Sequence, residues 1–114
     1  MVKVGRFVSD PRAGAYCHIT LDGGEKAIVH HEKGGFKGGL LTIEVSKFMG
    51  LSSDRIFACN LDSAKGNGVL AWLTRGADPT SLAATPLGAV VEFVKDAGSL
   101  TELKDRCAKL MAGQ

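Results

Sequence analysis

The stretch from Thr85 to Met111 constrains this chain most, because several independent helix signals agree there. Thr85 suits an N-cap, and Pro86 suits the first helical position, where a missing N–H costs nothing. Leu87, Val90, Val91, Val94 and Ala97 then form a one-sided apolar stripe that stops at Gly98, a natural C′ residue. A second helix follows at once. Ser99 and Glu102 have capping-box spacing, and Leu100, Leu103, Cys107, Leu110 and Met111 recur at helical spacing as far as Gly113. Two joined helices, each with one apolar face, need a surface to cover. Most of the preceding sequence reads as strands, so that surface is expected to be a sheet.

A chain of 114 residues fits one domain with a single core. Hydrophobic residues make up 45% and charged residues 23%, which are globular rather than disordered proportions. Lys and Arg total 14 against 12 Asp and Glu, for a net charge of +2. That field is too weak to imply nucleic acid by charge alone, and the basic residues are scattered from Lys3 to Lys109. Cys17, Cys59 and Cys107 are odd in number and form no C-x-x-C pair. They fit buried thiols in a reducing compartment better than a disulfide framework. No apolar run approaches the ~18 residues of a membrane span, and Met1-Val2-Lys3 leads into a strand pattern rather than a signal peptide. The expected location is the cytoplasm, with no membrane partner.

Val2 to Val8 alternates like a strand with a bulge at Gly5, and Asp10-Pro11 marks a turn. Cys17, Ile19 and Leu21 alternate with Tyr16, His18 and Thr20, and Asp22-Gly23-Gly24 turns the chain into Lys26 to Glu32. The result is a three-strand meander with two admissible registers at its last hairpin. A two-residue loop pairs Ile19 with Ile28 and sets Cys17 opposite His30, whereas a three-residue loop pairs Cys17 with Val29 and sets His30 beside Tyr16. In both, His30 and His31 point to opposite faces.

Residues Lys33 to Gly39 hold four glycines and are expected to be a loop. Leu41 to Met49 fits a strand alternation and a helical stripe equally. Gly50-Leu51 has the form of a helix C-terminus, so a short helix is expected there. After a turn at Ser52-Ser53-Asp54, Arg55 to Leu61 and Val69 to Thr74 read as two strands joined by a polar loop, Asp62 to Gly68, with Asn67-Gly68 as the hairpin signal. The connection from Arg75 to Ala84 holds Asp78-Pro79 and has room for one helical turn. The expected fold is α+β: a largely antiparallel sheet of about five strands, covered on one face by the two C-terminal helices, with a short helix after the Gly-rich loop.

Candidate sites are few. The Gly-rich loop lies where backbone N–H groups can cradle an anion, but Gly39 is followed by Leu40 and Leu41 rather than the Lys-Ser/Thr of a phosphate loop. Phe36, flanked by Lys33 and Lys37, is either a contact residue or an apolar plug. His18 can share a sheet face with His30 or with His31, close to Cys17, yet the spacing matches no metal motif. His31-Glu32 has Gly35 where H-E-x-x-H needs its second His. Asp62, Ser63 and Lys65 read as solvated loop residues, and Lys104, Arg106 and Lys109 are balanced by Glu102 and Asp105 on a solvated helix face. No catalytic constellation stands out, and no cofactor or metal is implied.

The sequence therefore points first to a small non-enzymatic binding or assembly module. Phe7, Tyr16, Ile28 or Val29, and Val69 or Trp72 must be divided between two faces, and one helical layer leaves the second face, or an open strand edge, for a homodimer contact. The ligand or partner contacts expected are Lys33, Phe36, Lys37, His18 and His31. A second reading is a small-molecule or anion binder, with or without catalysis, acting at the Gly-rich loop. A third is weak nucleic-acid binding through Lys33, Phe36 and Lys37.

Overall fold

The computed structural model describes residues 1–10, 14–32, 39–46 and 53–112. The short strands β1 (Lys3–Val4) and β2 (Val8–Asp10) are followed by four strands of seven residues each: β3 (Gly14–Thr20), β4 (Lys26–Glu32), β5 (Leu40–Ser46) and β6 (Asp54–Asn60). Helices α1 (Ala64–Thr74), α2 (Pro86–Ala97) and α3 (Leu100–Ala112) complete the chain. The sheet is antiparallel throughout, in the order β1-β3-β4-β5-β6, and β2 also pairs with β3. This is the α+β architecture expected from the sequence, a sheet with a C-terminal helix pair on one side.

The expected bulge near Gly5 is what divides the first strand in two. Val4 pairs with Ile19 and Val8 with Tyr16, so the stretch between them carries one more residue than its partner. The Gly5 N–H donates to the His18 carbonyl at 2.8 Å within this break. Between β3 and β4 the chain adopts the second of the two admissible registers, with Cys17 opposite Val29 and Tyr16 opposite His30. Leu21 N–H donates to the Glu25 carbonyl, closing a three-residue loop whose last member, Gly24, has φ +88°. A turn followed by one left-handed residue is how three-residue hairpins match the strand twist.

Two elements differ from the sequence expectation. The segment read as a short helix from Leu41 to Met49 is strand β5 through Ser46, paired on both sides, with Leu41, Ile43 and Val45 facing one way and Thr42 and Glu44 the other. Gly50 and Leu51, which favoured the helix, lie outside the described residues. A ladder on each edge of β5 outweighs the weak local preference of a β-branched segment that fits either period.

Conversely, the expected strand from Val69 to Thr74 and most of its preceding loop form helix α1. Ser63 caps it: its Oγ accepts from the Gly66 N–H at 2.9 Å and donates to the Asn60 carbonyl at 2.8 Å. Gly66 reads as a helix breaker, yet a Cβ there would sit 1.8 Å from the Asn60 carbonyl oxygen. The tight turn out of β6 thus requires glycine. The same device opens α2, where Thr85 Oγ1 accepts from the Gly88 N–H at 3.0 Å and donates to the Leu82 carbonyl at 2.7 Å.

The C-terminal helices follow the sequence closely. Pro86 begins α2, and Gly98 ends it at φ +80°. Leu87, Val90, Val91 and Val94 are buried, as are Leu103 and Cys107 of α3. The capping box at Ser99 is only half formed. Ser99 Oγ accepts from the Glu102 N–H at 3.2 Å, but the Glu102 carboxylate accepts from Arg106 Nε, and the Ser99 N–H donates to the Ala97 carbonyl. The Arg75 to Ala84 connection contains one 3₁₀ turn, Leu82–Ala84.

One apolar cluster joins the layers. From the sheet it takes Cys17, Ile19, Ala27, Val29, Leu41, Ile43, Val45, Phe57 and Cys59, all from one face. From the helices it takes Val69, Leu87, Val90, Val91, Val94, Leu103 and Cys107. At about 1.5–3 kcal/mol for each fully buried large aliphatic side chain, this face carries most of the stabilisation of the fold.

Candidate functional site

The register that buries Cys17 and Val29 also fixes what the other face presents, because side chains alternate along every strand. Cross-strand pairing arranges most of that outer face in three rows, with Glu32, Leu40 and Asn60 in a fourth beyond the first. One row runs Val8, Tyr16, His30, Thr42 and Ala58. The next runs His18, Ile28, Glu44 and Arg55, and the third runs Lys3, Thr20, Lys26 and Ser46. None of these residues belongs to the cluster that unites sheet and helices.

The first two rows are the more aromatic and apolar. The Tyr16 ring meets the His18 ring edge-on at a centroid distance of 5.7 Å and the His30 ring at 6.3 Å. His18 is exposed, and Tyr16, Ile28 and His30 are half-buried beside it. Thr42 in the centre is only 5% exposed, with His30 and Ala58 as its cross-strand partners. The third row is polar: Lys26 Nζ donates to Thr20 Oγ1 at 2.6 Å. Glu44 accepts from Ser53 Oγ at 3.0 Å and lies 3.9 Å from the Arg55 guanidinium, a loose surface pair. The face therefore offers an aromatic and aliphatic centre with a cation, Lys26, and a carboxylate, Glu44, in adjoining rows.

His18 lies on this face. His31 does not share it, since it pairs with Ala15 and Leu41 on the helix-covered side, at the margin of the core. His30 is the histidine that meets His18, through Tyr16. The other expected contacts, Lys33, Phe36 and Lys37, lie outside the described residues. Among the described residues no group of three or more His, Cys, Asp or Glu side chains is placed to hold a metal ion. Asp62, Ser63 and Lys65 sit at the start of α1, where Ser63 is used as its cap.

The three cysteines are free and buried. Burial raises the Cys107 thiol to about 11, and it also pushes up those of Cys17 and Cys59, in Cys17 against a weaker lowering by the backbone of Gly5. Such thiols are poor nucleophiles.

A second concave region, not foreseen from the sequence, lies among the helices. Trp72 of α1, Phe93 and Asp96 of α2, and Arg106, Lys109 and Leu110 of α3 line a valley of about 460 Å³. The helix-face charges expected to be solvated do form their i,i+4 pairs, Arg106 with Glu102 at 2.9 Å and Lys109 with Asp105 at 3.0 Å. Arg106 also reaches Asp96 at 2.6 Å and so ties α3 to α2. Among the described residues no helix is long and apolar enough to cross a membrane. The sequence matches no family model, and no curated protein or solved structure is significantly similar to the chain.

Proposed function

We propose that this protein is a small, non-enzymatic assembly module that pairs with a second copy of itself through the outer face of its sheet. The observation that carries the reading is the Tyr16, His18, Ile28 and His30 group, which sits on the central strands β3 and β4, away from the helical layer. A sheet face next to water normally alternates to polar residues, and this one keeps an aromatic ring and an isoleucine at its middle.

A second copy suits the face because it carries charges of both signs, which rotation about a twofold axis can bring together. An isologous contact sets Lys26 of one chain against Glu44 of the other and the reverse, while the aromatic centres meet.

Carbethoxylation of His18 tests the reading, because the exposed imidazole is covered only when two faces meet. Modification of His18 should slow markedly as protein concentration rises, with reaction at Lys104, on the exposed side of α3, as the reference. Equal His18 rates at low and high concentration count against the face as an interface.

A further inference from the structure

The valley among the helices is independent of the sheet face and has a character of its own. Trp72 is 44% exposed although it stands beside Phe93 and Leu110. A tryptophan left so open in a concave apolar setting is an unspent contact surface. At about 460 Å³ the valley falls within the ~300–1,000 Å³ typical of small-molecule sites.

Its charges give the ligand a sign. Arg106 and Lys109 line it against a single carboxylate, Asp96, and that carboxylate is already matched by Arg106 Nη1. Arg106 spends Nε on Glu102 and Nη1 on Asp96, and Nη2 is used in neither bond. Among the described residues Lys109 pairs with Asp105 alone, in a pair whose members are 77% and 53% exposed, a bond easily exchanged for another acceptor. The Arg75 guanidinium lies 4.7 Å from the Trp72 ring centroid and adds a third cation near the same end. Glu102 and Asp105 balance these cations from outside the lining, so the preference for an anion rests on the lining itself, where two cations face one carboxylate that is already matched.

We propose that this valley binds an amphipathic organic anion, a small molecule whose apolar body rests on Trp72, Phe93 and Leu110 and whose carboxylate is taken by Arg106 and Lys109. The bond to Arg106 is charge-assisted and directional, which makes it the main determinant of head-group choice.

Trp72 is the sole tryptophan, so its emission reports on this site alone. Decanoate, decanol and decyltrimethylammonium are titrated into the intact protein, with far-ultraviolet circular dichroism in parallel. The expected result is a saturable blue shift with decanoate at constant helical signal, weaker binding of decanol, and the weakest binding of the ammonium compound. Arg106→Gln should weaken decanoate by roughly tenfold, the size of one charge-assisted bond, and Lys109→Gln by a smaller factor. Any of four results overturns the proposal: no saturable shift with decanoate, a shift that tracks loss of helical signal, equal or tighter binding of the ammonium compound, or decanoate affinity unchanged in both variants.

Discussion

The two faces of the sheet are built from the same strands, yet they carry opposite kinds of order. On the helix side, residues such as Ile43 and Val29 are fully buried and packed against α2. On the outer side, Ile28 is the immediate chain neighbour of Val29, with the same chemistry, but half-open to solvent beside His18 and Glu44. The difference teaches that apolar character alone does not mark the core. Register decides which of two adjacent aliphatic residues is buried in the core and which is left half-open to solvent.

The largest expected effect breaks this symmetry directly. Ile43→Ala should cost about 2–5 kcal/mol of folding stability, because it opens a cavity under α2. Ile28→Ala should cost roughly 1 kcal/mol or less in dilute protein, since a half-exposed site can fill with water. Denaturant melts of both variants check the pair, and equal costs contradict the assignment of faces.

The helical cover depends on tight turns out of the sheet, and Gly66 tests that dependence. Gly66→Ala should destabilise by roughly 1–3 kcal/mol, although alanine is the better helix former, because its Cβ meets the Asn60 carbonyl. Stabilisation in thermal melts, the outcome that propensity alone gives, contradicts the close approach.

Cys107 sharpens the comparison by pH. Its folded value is raised from 9.0 to about 11, so between those values the folded state holds a proton that the unfolded chain has released. The stabilisation it contributes is complete below about pH 9 and is lost as pH rises towards about 11, by roughly 1–3 kcal/mol. Comparing parent and Cys107→Ala at about pH 8 and about pH 10.5 isolates this share. The parent should lose more stability over that interval than the variant, and parallel losses contradict a desolvated thiol.

Much of the covered face was legible in the sequence, because the signals that define it are local. Thr85-Pro86, the valine stripe and Gly98 mark α2 without reference to anything distant, and α3 reads almost as well. Elements whose identity depends on neighbours were not legible. Leu41 to Ser46 fits two periods, and only its pairing with β4 and β6 makes it a strand. In α1, Gly66 and Gly68 mimic a hairpin, and the reason for Gly66 is the Asn60 carbonyl six residues earlier.

The candidate site shows the same limit. Which histidine shares a face with His18 was open in the sequence, and it is fixed by a hairpin one residue longer than the shortest alternative, which brings His30 to Tyr16 and turns His31 to the helix side. The valley at Trp72 draws on three helices, one of which reads as a strand in the sequence. No local pattern could assemble it.

The central claim, that the outer face is where this protein meets a second copy, is tested most directly by light scattering across a dilution series. The mass should approach twice the 11.9 kDa of the chain at high concentration and fall towards the single-chain value on dilution. Ile28→Asp, which places a carboxylate at the centre of the face, should shift this transition to higher concentration while the monomer stays folded. A mass of one chain at every concentration up to about 100 μM, an affinity weaker than roughly −5.5 kcal/mol, contradicts it.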